Sequence, residues 1–356
     1  MNVTLIADFL IILVRVLIVF MVLSLLVVFI VWFERKVVAH MQSRVGPNRW
    51  GPYGLLTSLA DGIKLFFKEG IVPDSADRAL FLAAPAVAVG SAFLAFAAIP
   101  FGTQVKLFNR TIPFQITDLN VGLLWVLAMG SIAVYGVVLA GWASGSKYPL
   151  LGGIRSSAQM ISYEIALSLS LVPVIMSAGT LSLRGIVNHQ AGAIGHINWL
   201  GPAASLGKVL PHWYIFYDLP AFIIFLLAGV AETNRPPFDL AEADTELVGG
   251  FHTEYSGIKF AMFYLAEYLH VVTIGAVAVI MFLGGWQGPH IGFLPWLWPL
   301  AYFVIKTFLF VFLFVWLRAT LPRLRYDRLM QVGWKVLIPA SLAWLVLAGA
   351  AMVGGI

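Results

Sequence analysis

Apolar runs of 18 or more residues recur along this chain, and they constrain its fold more than any other feature. Each is long enough to cross a ~30 Å hydrocarbon layer as a helix. Closed β-barrels alternate apolar and polar residues over segments of ~10 residues, and these runs do not alternate. Only 11% of the 356 residues are charged and 60% are hydrophobic, whereas a soluble domain carries roughly 25% charged residues. The expected fold is therefore all-α: a polytopic transmembrane helix bundle of eight spans, at about 8–32, 79–100, 119–142, 159–179, 212–231, 260–284, 293–317 and 335–353. The first run exceeds 20 residues and lacks a basic start and a small-residue cleavage site, so it reads as a retained helix.

Charge orients these spans. The loops 34–78, 143–158, 232–259 and 318–335 hold 16 Lys and Arg, and the loops on the other side hold only Lys106, Arg110, Arg184 and Lys208. Positive residues concentrate on the cytoplasmic side of membrane proteins, which places both termini outside the cytoplasm. The net charge of +5 is mostly this topological signal. The basic residues form no compact patch, so nucleic acid is not expected as a partner. No separate hydrophilic domain or repeat is visible, and residues 1–356 read as one membrane domain.

Two loops are dense in charge. The first, 34–78, is expected to start at Glu34 and Arg35 and pass through the turn formers Gly46-Pro47-Asn48 and Gly51-Pro52. Beyond them Leu55, Leu59, Ile63 and Phe66 recur at helical spacing, opposite Asp61, Lys64 and Lys68. This is an amphipathic helix suited to the membrane interface. In the loop 232–259, Glu232, Asp239, Glu242, Asp244 and Glu246 crowd around one basic residue, Arg235, and Pro236-Pro237 interrupts any regular helix. The plain alternative for this run is a solvated loop.

Ionisable residues also fall inside spans: Arg15, Glu164, Asp218, Glu267 and Lys306. Charge in hydrocarbon is costly and usually faces a bundle interior or a wet path. Arg15 lies near a span end, where it can snorkel. Asp218 can cap a broken helix. Glu164 and Glu267, beside Tyr163 and Tyr268, suit proton movement, with structural ion pairing as the alternative. Cysteine is absent, so this chain cannot hold an iron–sulfur cluster by thiolates. Nucleotide-binding glycine motifs are missing as well, and the seven histidines are scattered. Electrons, if they reach this chain, come from a partner.

Four segments carry a resemblance: Glu34-Arg35-Lys36, Arg44-Val45-Gly46-Pro47-Asn48-Arg49, Leu59-Ala60-Asp61-Gly62-Ile63-Lys64-Leu65 and Ala231-Glu232-Thr233-Asn234-Arg235-Pro236-Pro237-Phe238-Asp239-Leu240. The chain resembles, from first span to last, the H subunit of bacterial NADH–quinone oxidoreductase (respiratory complex I) and its mitochondrial counterpart. That resemblance implies a proton-pumping assembly in the bacterial cytoplasmic (inner) membrane. The implied partners are peripheral-arm iron–sulfur subunits, small membrane-arm and antiporter-like subunits, quinone and lipid. FMN and the clusters are expected on partner subunits, and this chain is expected to bind no cofactor, with quinone as substrate. Glu34, Arg35, Arg44, Arg49, Asp61, Glu69, Glu232, Arg235 and Asp239 are implied as quinone-chamber residues. Glu164, Glu232, Glu242, Asp244, Glu246 and Glu267 are implied as a proton path. Where the family reads Ala-Glu-Gly-Glu-Ser-Glu-Leu, this chain has Ala241-Glu242-Ala243-Asp244-Thr245-Glu246-Leu247, which keeps the acids and loses the glycine. A membrane-bound hydrogenase subunit, a stand-alone cation/proton transporter and a structural anchor are the rival readings.

Overall fold

A computed structural model describes residues 3–107, 110–192, 212–239, 248–289, 294 and 296–354. Its helices are α1 (Val3–Met41), α2 (Leu56–Phe67), α3 (Arg78–Ala95), α4 (Gly122–Ala143), α5 (Lys147–Ala178), α6 (Leu183–His189), α7 (Leu219–Glu232), α8 (Gly257–Phe282), α9 (Leu297–Thr320), α10 (Tyr326–Val332) and α11 (Ile338–Gly354). A π-helical turn, Gly333–Leu337, joins the last two. Strands β1 (Gln104–Leu107) and β2 (Arg110–Pro113) form an antiparallel hairpin between α3 and α4, which the hydropathy pattern does not announce.

Among the described residues, seven helices are long and apolar enough to cross a membrane, the last being the run Tyr326–Val353. This is a multi-pass membrane protein. The eighth apolar segment is a shorter helix. The run expected at 212–231 becomes helical only from Leu219, because Pro220 in the first turn suits a helix start and not a helix interior. Its 14 residues span ~21 Å.

Other boundaries also differ from expectation. Helix α1 has 39 residues and reaches ~58 Å, so Glu34 and Arg35 lie on its last turns and not in a loop. Helix α5 starts at Lys147, which turns most of the expected loop 143–158 into helix and places Glu164 near its middle. The bundle is organised around α8: 83% of its most apolar window is buried, against 22% for α1 and 17% for Tyr326–Val353. Helices α1, α2, α3, α5, α6, α7 and α9 all pack against α8. Small residues permit close approach. A methyl group at Gly136 of α4 would lie 2.8 Å from Ala88 Cβ of α3, and one at Gly229 of α7 would lie 2.7 Å from Ile274 Cγ2 of α8.

The intramembrane charges settle in different ways. Arg15 is not a free snorkelling side chain, since it donates from Nη1 to the Gln115 carbonyl (3.1 Å). Asp218 precedes α7 without a side-chain capping bond, and it accepts from the Trp344 indole at 3.3 Å. Lys306 of α9 donates to the carbonyls of Leu283, Gly285 and Gln287 at 2.7, 3.1 and 2.7 Å, with its ammonium 4.1 Å from the centroid of the Trp213 ring. Carbonyls of the turn that follows α8 are thereby satisfied by a cation.

Candidate functional site

The site is built where the end of α1, the turn after α7, and α8 and α9 meet. A short return of the chain after α7 positions it. Gln159 Nε2 donates to the carbonyls of Ala231 and Phe238, both at 2.7 Å, and Asn234 Nδ2 donates to Ser156 Oγ at 3.1 Å. These bonds from α5 fix the two ends of the turn and place Arg235 in the bundle interior, where it is 5% exposed.

Arg235 is the hub. Its Nη2 lies 3.0 Å from Glu267 Oε1 and its Nη1 lies 3.7 Å from Glu34 Oε2. Its guanidinium carbon sits 4.3 Å from the Tyr268 ring centroid. Glu34, itself buried, also pairs with Arg318 of α9 and accepts from the Tyr268 hydroxyl at 2.8 Å. Tyr264 reaches the Tyr268 hydroxyl at 3.0 Å. Buried ions survive only when their charge is compensated, and the interleaved Glu and Arg side chains compensate one another.

A cavity of about 130 Å³ adjoins this hub. Its polar lining includes Glu232, Asn234, His252, Tyr264, Glu267 and His270, against an apolar wall from α3, α4 and α8. Glu232 Oε1 lies 3.2 Å from His270 Nε2. Gly130 of α4 faces the same pair: a methyl group there would stand 3.7 Å from Glu232 Oε1 and 3.8 Å from His270 Cε1. The next residue, Ser131, donates to Glu164. Arg235 thus joins Glu34 to Glu267, Glu267 and Glu232 line one cavity with His270, and Glu164 is held by Ser131, next in the chain to Gly130.

On the face that carries α2, a cleft of about 520 Å³ is lined by Glu34, Arg35, Arg44 and Arg318 among others. Glu34 also borders a small void with Arg235 and Tyr268. The inner hub and the cleft thus share Glu34. Helix α2 is tied beside the cleft by Arg35 Nη1 to Asp61 Oδ2 (2.7 Å), and Asp61 also lies 3.6 Å from Lys64. Its Leu59, Ile63, Phe66 and Phe67 are exposed.

The candidate residues from sequence divide accordingly. Glu34, Arg235, Glu267, Glu232 and Glu164 converge on one path. Arg35, Arg44 and Asp61 border the cleft or its α2 edge. Asp239 is buried and pairs with Arg323 at 3.1 Å. Arg49 and Glu69 are exposed, and Arg49 does not line the cleft. Glu242, Asp244 and Glu246 lie outside the described residues. Sequence reasoning missed Arg318, counted only as a topological charge, together with His270, Gly130 and Ser131, which carry no motif. Of the two tyrosines singled out, Tyr268 joins the hub, whereas Tyr163 donates to the Leu329 carbonyl at 2.9 Å. Among the described residues, no three His, Asp or Glu side chains converge to hold a metal.

The family model described as NADH dehydrogenase matches residues 14–349. A protein of Frankia alni, named as the H subunit of an NADH-quinone oxidoreductase, is 53% identical over 332 residues, covering 92% of this chain and 70% of that relative. Its namesake in Frankia casuarinae is 52% identical over 343 residues, covering 95% of this chain and 72% of its own length. The interleaved acids and arginines at the end of α1 and along α8 thus sit in a chain that belongs to the family of NADH-quinone oxidoreductase H subunits.

Proposed function

We propose that this chain is the membrane-arm subunit that forms much of the quinone chamber of a proton-pumping NADH–quinone oxidoreductase and couples quinone reduction to proton translocation. The carrying observation is the set of contacts Glu34–Arg235–Glu267, Glu232–His270 and Ser131–Glu164, of which Glu34 borders the open cleft and Glu267, Glu232 and His270 share one inner cavity. The protein crosses the bacterial inner membrane eight times, α7 being the short crossing, with both termini outside. Helix α2 lies at the cytoplasmic interface, its exposed leucines and phenylalanines toward lipid and its Asp61 toward Arg35.

Peripheral-arm subunits holding FMN and iron–sulfur clusters dock on the cleft side, and antiporter-like subunits continue the membrane arm. A chain without cysteine leaves the electrons to those partners. Quinone reduction changes charge at the cleft. A unit charge ~4 Å from a carboxylate is worth about 4 kcal/mol at an effective dielectric of 20, enough to drive a proton one site along the series. Glu34, held by two arginines, senses the change, and Glu267, Glu232 and Glu164 pass it inward. The loop acids Glu242, Asp244 and Glu246 take part in the same relay, and Glu69 and Arg49 face the partner subunit.

The experiment compares Glu164→Gln and Glu267→Gln in native membranes. Assembled complexes are identified on a native gel by NADH-dependent quinone reduction. Quinone reduction and proton pumping are then measured together. The expected result is loss of pumping, with slowed quinone reduction. Unchanged rates and unchanged pumping in both variants remove the acidic series from the mechanism.

A further inference from the structure

We propose that the hydroxyls of Tyr264 and Tyr268 form a two-step proton relay through the wall between the inner cavity and Glu34. The inference rests on the coupling role above and names the link that it lacks. Tyr264 lines the cavity that contains Glu232, Glu267 and His270. Glu34 lines the cleft on the other side. Between them stand the two hydroxyls, 3.0 Å apart, and the second is 2.8 Å from Glu34 Oε2.

Packing does not account for these oxygens. Phe260, Tyr264 and Tyr268 follow at a spacing of four along α8, with ring centroids 6.0 and 4.8 Å apart. Rings so spaced cover one helix face. Phe260 serves that face without a hydroxyl, whereas Tyr268 carries one at 2% exposure. A buried hydroxyl is costly unless bonded, and these two are bonded to each other and to a carboxylate. Either of them can be the donor in their shared bond, as a relay that must reset requires. Arg235 and Arg318 flank Glu34 and hold its carboxylate in place beside the Tyr268 hydroxyl. The cavity is far larger than the ~15 Å³ that one water needs.

The step balances as a single proton shift. The Tyr268 O–H proton moves to Glu34 Oε2 as the Tyr264 proton moves to the Tyr268 oxygen. In the same concerted shift Tyr264 receives a proton, through water, from the protonated carboxyl of Glu267 or Glu232, which becomes a carboxylate. No electron moves, and in a concerted shift no tyrosinate forms. Glu34 then releases its proton into the cleft, where reduction of a quinone to a quinol consumes two. Rotation of both hydroxyls resets the relay.

The test uses the assembled complex with Tyr264→Phe, Tyr268→Phe and the double variant, each of which keeps its ring. NADH oxidation by an artificial acceptor is expected at the wild-type rate. Quinone reduction is expected to fall about a hundredfold in each single variant, the low end of what positioned proton transfer contributes, with an increased solvent deuterium isotope effect. Because the hydroxyls act in series, the double variant should be no slower than the slower single variant. Wild-type quinone reduction and pumping in an assembled single variant overturn the relay. So does a double variant whose loss is the product of the two single losses, the mark of independent packing roles. If Tyr268→Phe does not assemble, Tyr264→Phe decides by the same criterion, since it removes only the bond to Tyr268. Silent tyrosines beside defective Glu164→Gln and Glu267→Gln refute the relay alone. Silence in all four refutes the coupling reading itself.

Discussion

Two cations inside the bundle, the buried Arg235 and the half-buried Lys306, show how charge withdrawn from water serves different ends. Arg235 is held by carboxylates, Glu267 at 3.0 Å and Glu34 at 3.7 Å. Lys306 is held by three backbone carbonyls and the face of Trp213. Carbonyls are fixed dipoles that neither gain nor lose a proton, so the partners of Lys306 do not change charge, and it fastens the end of α8 to α9. Carboxylates can change protonation, and each change alters what the arginine between them prefers. A cation among acids can therefore report chemistry at the cleft, and a cation among carbonyls can only hold.

The largest effect is expected at the hub. Arg235→Met leaves Glu34 and Glu267 without their shared partner. Removing one member of a buried ion cluster costs about 3–5 kcal/mol, and assembled complex should be lost on a native gel. Normal amounts with normal pumping would reduce the hub to a passive ion cluster and break the contrast with Lys306.

A smaller effect is expected at the fastening. Lys306→Met removes charge-assisted bonds worth about 1.5–3 kcal/mol each, partly replaced by water near the helix end. The complex should dissociate at lower temperature while quinone reduction per assembled complex stays at the wild-type level. A selective loss of pumping at full stability would show that Lys306 belongs to the path after all.

The smallest effect is expected where the ions are wet. Arg35 and Asp61 are 44% and 36% exposed, and such pairs contribute about 0.2–1 kcal/mol. Asp61→Asn should barely change stability, and any shift in apparent quinone affinity should shrink as salt rises. Normal affinity at low salt in the assembled complex removes Asp61 from the chamber.

Much of this architecture is legible in the chain because hydropathy is local. The spans at α1, α3, α4, α8 and α9 are each visible as a continuous apolar run, and the acids at 164, 232 and 267 stand out against it. Ends are less legible. Nothing in Glu34-Arg35-Lys36 says that α1 continues through these charges, since a helix leaving the membrane tolerates charge as readily as a loop does. The start of α7 depends on Pro220, whose effect on the segment ahead of it is a matter of packing. Arg318 and His270 are invisible as site residues because neither belongs to a motif, and only a partner gives it meaning.

The sequence by itself determined a membrane bundle, the asymmetry of its charges, and the stock of acids that its interior has to accommodate. These follow from composition within single segments, which the hydrocarbon layer sorts without reference to the rest of the chain. The tertiary structure decided which acid meets which base. Glu34 finds Arg318 across 284 positions and Tyr268 across 234, and Glu164 finds Ser131 on a neighbouring helix. Those pairings depend on the rotation and depth at which helices pack. Small residues such as Gly136 and Gly229 set that packing by allowing helices to approach, and no periodicity within one helix encodes it.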